Sequence, residues 1–214
     1  MSCAKKKAEP STRCAMNNKR KSLYESWLRR IDEAHKCHQT AWEEAKTAKL
    51  ADWELNSKTM PSEKHWEVNG FAYEAARMHA QTRNDLMFQL FEALPFQEMA
   101  NGDSEAIDHI LDFAEIDIPA FRCGYAKEWC YRRLKRMTLT EVQQQRLLNL
   151  TLQLCQNSGW RRELSDLAKL VSAFANADFM KKLRLLEKSE SKYVRAKALC
   201  AISKILVKRD GIEP

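Results

Sequence analysis

Glycine and proline occur only five times each in 214 residues, and no apolar run approaches the roughly eighteen residues of a membrane-spanning helix. The first scarcity leaves too few turns for a sheet-rich fold, while Leu and Ala far outnumber Val and Thr, the composition of long helices. The sequence therefore predicts an all-α protein with no sheet, and 44% apolar content suffices for a continuous core. The second excludes a membrane protein. Basic residues open the chain without an apolar segment behind them, so no signal peptide is expected.

Motifs for chemistry are missing too. Five scattered glycines build neither G-x-G-x-x-G nor G-x-x-x-x-G-K, and H-E-x-x-H, C-x-x-C and G-x-S-x-G are absent. No cofactor is predicted. A di-iron helical bundle needs paired E-x-x-H motifs and two more carboxylates, and the nearest approach is Asp32-x-x-His35 alone. Asp32, His35, Cys37 and His38 are the densest group of metal-type ligands, but Cys37 points round the helix from the others. No metal is predicted there. His65, His79 and His109 have no nearby partner to form a base and nucleophile pair, so the expectation is that the protein is not an enzyme.

Seven cysteines are an odd count without framework spacing. Those in the helical region sit beside apolar helical positions, as reduced core cysteines do, which points to the cytoplasm, or the nucleus in a nucleated cell. Cys123 and Cys130 lie seven apart, hence about 10 Å apart along one helix face, too far for a disulfide. With Ala126 and Leu134 they read as a core stripe. Asn149-Leu150-Thr151 matches a glycosylation pattern, but within an apolar helix of a chain with no export signal it is discounted.

What is present is charge, unevenly placed. Residues 1–21 hold Lys5, Lys6, Lys7, Arg13, Lys19, Arg20 and Lys21 against Glu9, a net +6 of the chain's +7. This segment is too poor in apolar residues to offset the entropy of ordering, and it is expected to be a disordered basic arm. Met16 would also serve as a start. Ser22 is the expected N-cap of a long helix, with Leu23, Trp27, Ile31, Ala34, His38, Ala41, Ala45 and Ala48 as its apolar stripe. Trp27 is assigned to the core, and Trp42 and Trp53 lie near the stripe's edge, where burial is the expectation. Long helices are expected over 22–94, with an interruption at Asn69-Gly70 and a stop at Pro95.

A helical stack over 98–208 and a tail at 209–214 complete the chain. Gly102-Asp103-Ser104 reads as a stop followed by a cap, and the helix after it is closed by Pro119. Helices are then expected at 122–137, at 141–156 behind a Thr140 cap, and at 161–175, 178–188 and 191–208.

The last two expected helices carry Phe179, Leu183 and Leu186, then "YVRAKALCAISKIL" from Tyr193 to Leu206. The spacing of Val194, Arg195, Ala198, Leu199 and Ile202 resembles the second helix of a HEAT repeat. That resemblance implies a helical hairpin with the apolar residues packed inward and the arginine running along the stack. It covers about residues 178–208, and the usual Asp and the first-helix Pro are missing. Stacks of this kind present a surface to protein or nucleic-acid partners.

Between Glu98 and Asp117 there are seven acids and no Lys or Arg; from Arg122 to Arg136 there are six Lys or Arg and one acid, Glu128. Helical spacing aligns Glu105, Asp108, Asp112 and Glu115 opposite Ile107, Ile110, Leu111 and Ala114, giving a candidate acidic face. Arg132, Arg133, Lys135 and Arg136, with Arg161 and Arg162 one helix later, form a candidate basic ridge for phosphates or an acidic partner. Either the two charge blocks face one another, or the ridge faces outward. The functional expectation is a helical interaction protein with a protein partner. The alternative is nucleic-acid binding by the arm and the ridge.

Overall fold

The computed structural model describes residues 10–56, 63–118, 120, 122–157 and 161–209, with side chains described for 18–47, 74–118, 120, 122–157 and 161–207. These residues form nine helices and no strand. They are α1 (Pro10–Asn56), α2 (Glu63–Ala93), α3 (Phe96–Ala100), α4 (Ser104–Ala114), α5 (Cys123–Leu134), α6 (Glu141–Gln156), α7 (Leu164–Val171), α8 (Ala177–Glu187) and α9 (Lys192–Arg209). None of them is long and apolar enough to cross a membrane.

The N-terminal expectation is revised. α1 starts at Pro10, a residue tolerated in the first helical turn, and not after Ser22. The expected disordered arm is thus helical over 10–21, and its Arg20 and Lys21 have carboxylate partners. Lys5, Lys6 and Lys7 lie outside the described residues. α2 runs unbroken through Asn69 and Gly70. One glycine costs a helix about 1 kcal/mol, which 31 residues can absorb.

Local chemistry explains most remaining boundaries. Gly102 adopts φ +81°, the left-handed conformation that ends a helix, and the Asp103 carboxylate then accepts from the Glu105 N–H at 2.9 Å to start α4. α4 stops at Ala114, short of Pro119, which is outside the described residues. Beyond it the Ile116 carbonyl accepts from the Lys127 ammonium instead of from a helical N–H. Thr140 and Gln143 form a reciprocal capping box that fixes the first turn of α6. α7 is shorter than the expected 161–175 because both end turns tighten: Leu164 donates to the Arg161 carbonyl, and Ala173 and Phe174 donate to carbonyls three residues back, Leu170 and Val171. The five-residue α3 had no periodicity long enough to announce it.

The chain divides into two compact units. The first comprises residues up to 22, 94–117 and from 122 onward. In it α9 packs on α6, α7 and α8, α7 packs on α5 and α6, and α4 packs on α3, α5 and α6. Its core includes Ile110, Phe113, Cys130, Leu134, Leu147, Leu167, Val171, Ala201 and Ile205, all essentially inaccessible. On α9, Ala198 and Ile202 point inward, but Leu199 is half exposed. Arg195 donates to the Ser189 and Glu190 carbonyls at 2.6 and 2.7 Å, so it closes the turn before its own helix. Both differ from the placement the HEAT resemblance implies.

The second unit comprises 23–93 and 118–121. Its buried α1 stripe is Tyr24, Leu28, Ile31, Ala34 and Ala41, while Leu23 and Trp42 are half exposed. At its N-terminal end the stripe is therefore turned one position from the expected one, and Trp42 is not core. The His38 ring nitrogen Nδ1 sits 2.9 Å from the Ala76 carbonyl. Arg83 Nη1 lies 3.3 Å from His35 Nδ1, and Asp32 pairs with Lys36 at 2.8 Å. Burial and the Arg83 charge both hold His35 below its ordinary pKa. A guanidinium can only donate, so His35 accepts at Nδ1 as the neutral ring.

Candidate functional site

The acidic line forms as its spacing predicts but does not face water. Asp108 and Asp112 on α4 are buried, Glu115 is partly buried, and Glu105 is exposed. Arg146, the single base of α6, reaches across all three inner acids. Its guanidinium lies 3.4 Å from Asp108, 2.6 Å from Asp112 and 2.6 Å from Glu115. Arg20 approaches Asp112 at 3.7 Å and Glu105 at 4.0 Å, and Lys21 meets Glu115 at 2.5 Å. Gln143 adds a hydrogen bond to Asp108 at 3.1 Å.

Burial and pairing pull the carboxyls in opposite directions. Burial dominates at Asp112 and raises its pKa above the ordinary carboxylate value, against the pull of Arg146 and Arg20. At Glu115 burial also acts upward, but the hydrogen bonds from Arg146 and Lys21 outweigh it and the pKa is held down. Asp112 Oδ2 is buried with no hydrogen-bond partner among the described residues and has the Arg20 guanidinium at 3.7 Å, but the three inner acids all turn to bases of their own chain, so the acidic face offers little to an outside ligand.

The basic ridge does not face those acids either. Arg132 bonds Asp166 of α7 at 2.9 Å and Glu128 of its own helix at 3.3 Å. Arg162 bonds Glu128 at 2.6 Å, donates to the Tyr125 hydroxyl at 2.9 Å and lies 4.0 Å from the centre of that ring. Arg161 reaches back to Asp117 at 2.5 Å. Arg133 stacks on Trp129 at 3.7 Å from the ring centre, and Phe96 meets Trp129 edge to face at 4.0 Å. Lys135 and Arg136 are exposed and have no ion pair among the described residues.

The ridge is thus divided: Arg132, Arg161 and Arg162 are bound to acids of their own chain, whereas Lys135 and Arg136 extend past the last turn of α5. Bases there also complement the negative end of the helix dipole. Two hollows flank Lys135. One, of about 360 Å³, is lined by Tyr131, Arg132, Lys135, Arg136, Asp166 and Lys169. The other, of about 260 Å³, is apolar on most sides, with Leu134, Met137, Leu139, Leu170, Ala173 and Phe174 around it.

Sequence reasoning missed Arg146, Asp166, Lys169 and the apolar hollow. Arg146 did carry a signal, as the one charge near the middle of a helix whose other polar residues are mostly Gln and Asn. The hollow carried none, because a loop and parts of three helices, α5, α6 and α7, enclose it.

Cys123 and Cys130 are buried as expected, and desolvation raises both thiols. Cys155, also buried, is pushed up to about 12. Cys37 is exposed, contrary to the expectation of core cysteines. The Tyr131 hydroxyl is buried with no hydrogen-bond partner among the described residues. An unpaired buried hydroxyl costs about 1–3 kcal/mol. Tyr131→Phe is therefore expected to stabilise the first unit by about 1 kcal/mol, read as a higher urea midpoint at unchanged slope.

Comparison of the chain with protein-family models, with curated proteins and with solved structures finds no match in any of the three.

Proposed function

We propose that this chain is a non-enzymatic helical interaction protein that binds a protein partner through the face formed by α5 and α7 around Lys135 and Arg136. The observation that carries this reading is the division of the ridge. Bases with a structural task are matched to carboxylates at hydrogen-bond distance, and two adjacent bases are left exposed beside a basic hollow. The same helix displays Trp129 with Arg133 and Tyr125 with Arg162, residue types that carry most binding energy at protein interfaces. The raised thiols of Cys123, Cys130 and Cys155 are poor nucleophiles, which fits a non-catalytic role.

Nucleic-acid binding is the weaker reading. Glu128 and Asp166 interrupt the ridge where a phosphate track would run, and Arg20 and Lys21 of the basic arm are held by acids of α4. Affinity capture with the full chain, before and after nuclease, separates the two. A defined protein should remain bound after nuclease, and Lys135→Glu with Arg136→Glu should release it. Capture that vanishes with nuclease, together with a steep salt dependence of binding to an oligonucleotide, would favour nucleic acid instead.

A further inference from the structure

We propose that the α5–α7 face takes a short acidic peptide segment, in which a large aliphatic or aromatic side chain fills the apolar hollow and neighbouring carboxylates enter the basic one. This rests on the protein-binding reading above and gives its partner a chemistry. The two hollows share Lys135 as a common wall. An occupant that uses both must therefore place an apolar group and anionic groups within a few residues of one another. An extended chain advances about 3.3 Å per residue, so side chains a few residues apart can reach either side of one shared wall.

Each hollow selects its own part of the segment. Around the apolar one, Leu134 and Leu170 form buried walls, and Met137, Leu139 and Phe174 are partly exposed. A methionine at the wall suits it to side chains of more than one shape. Its volume of about 260 Å³ matches one or two large side chains and not a folded domain. The basic hollow holds four cations, Arg132, Lys135, Arg136 and Lys169, against one carboxylate, Asp166. Arg132 neutralises Asp166 at 2.9 Å, and Lys169 also lies within 4.0 Å of that carboxylate. Lys135 and Arg136 remain as the contacts for carboxylates brought by the partner.

A nucleotide would satisfy the basic hollow, but it would set polar base edges against Leu134, Leu170 and Met137, where they would lose hydrogen bonds to water without replacement. A peptide side chain carries no such penalty. The charge complementarity also favours fast association that weakens with salt, while the apolar anchor sets the lifetime of the complex.

Selection of random twelve-residue peptides displayed on phage against the immobilised full chain tests the proposal without presupposing a sequence. The enriched peptides should place a Leu, Ile, Met, Phe or Trp within about three residues of two or more Asp or Glu. Synthetic versions of them, fluorescein-labelled, should bind in anisotropy measurements. Lys135→Glu with Arg136→Glu should weaken binding by more than about tenfold. Ala173→Phe, at an exposed position on the rim of the apolar hollow, should do so by about tenfold. Thr138→Trp, also exposed on that rim, serves if the Ala173 variant melts below the parent protein.

Enrichment without acidic residues, peptide affinity indifferent to both rim and cleft variants, or displacement of the peptides by a single-stranded oligonucleotide of equal charge overturns the proposal. Failure of the broader reading looks different: no defined protein then remains bound to the full chain after nuclease. If a nuclease-resistant protein partner is captured and neither the rim variants nor Lys135→Glu with Arg136→Glu release it, protein binding stands, and the α5–α7 face and the acidic-peptide assignment both fall.

Discussion

Replacing Arg146 with methionine is expected to destabilise the first unit by about 3–5 kcal/mol, the cost of removing one member of a buried ion network. Methionine keeps most of the side chain's length and apolar stem, so the loss reports the guanidinium. Asp112 is fully inaccessible, and Arg146 donates its shortest hydrogen bonds to Asp112 and Glu115. Without it, Asp108 and Asp112 of α4 and Glu115 just past its end face one another, with Arg20, Lys21 and Gln143 nearby. Arg146→Lys should recover part of the loss, since an ammonium is one point charge where a planar fork can reach several carboxylates at once. Adding Asp112→Asn to Arg146→Met should also recover part, because a neutral amide tolerates burial better than an unpaired carboxylate.

The sign of the pH dependence follows. Arg146 favours the charged carboxylates of the folded state, and that contribution is lost when they are protonated. The deficit of Arg146→Met should therefore shrink as pH falls toward the raised pKa of Asp112 and below, and be largest near neutrality. Hydrogen exchange at the α4 and α6 amides measures the effect within the unit concerned. A deficit below about 1 kcal/mol at neutral pH would mean that the network is no stronger than an exposed pair.

The parts of this protein that were legible in its sequence are those set by local chemistry. The absence of strands among the described residues follows from scarce glycine and proline and plentiful Leu and Ala. The start of α4 follows from Gly102 and Asp103, and the bounds of α6 from Thr140 and the apolar spacing behind it. The alignment of Glu105, Asp108, Asp112 and Glu115 follows from helical period alone.

What answers those acids was not legible. The basic block beginning at Arg122 is the nearest in sequence, yet α4 packs on α6 as well as on α5, and the bases that reach the acidic line are Arg146 of α6 and Arg20 and Lys21 of α1. The partners of a charge depend on which helices pack together, and a one-dimensional charge pattern does not contain that. The hollow beside Lys135 was hidden for the same reason. Leu134, Leu139 and Phe174 meet only because α5, the following loop and the end of α7 converge.

The basic arm gives the second large expected effect, and it separates a tail from a structural element. A disordered arm can be removed at no cost to the fold. Here Lys21 meets Glu115 at 2.5 Å, and Arg20, mostly buried, lies 3.7 Å from Asp112. Hydrogen bonds to charged groups contribute about 1.5–3 kcal/mol each when shielded, and Lys21 is only partly so. Deleting residues 1–21 should thus cost on the order of 2–3 kcal/mol, on the scale of a shielded charged hydrogen bond. Deleting 1–15, which spares both bases, should cost far less. The full chain with Arg20→Gln and Lys21→Gln distinguishes loss of charge from loss of a helical turn: it should reproduce most of the deficit of the 1–21 deletion. If the double variant is as stable as the parent while the deletion is not, the arm acts through its backbone. If neither loses stability, the contacts of Arg20 and Lys21 are incidental, and the six net charges of the segment become available to a partner.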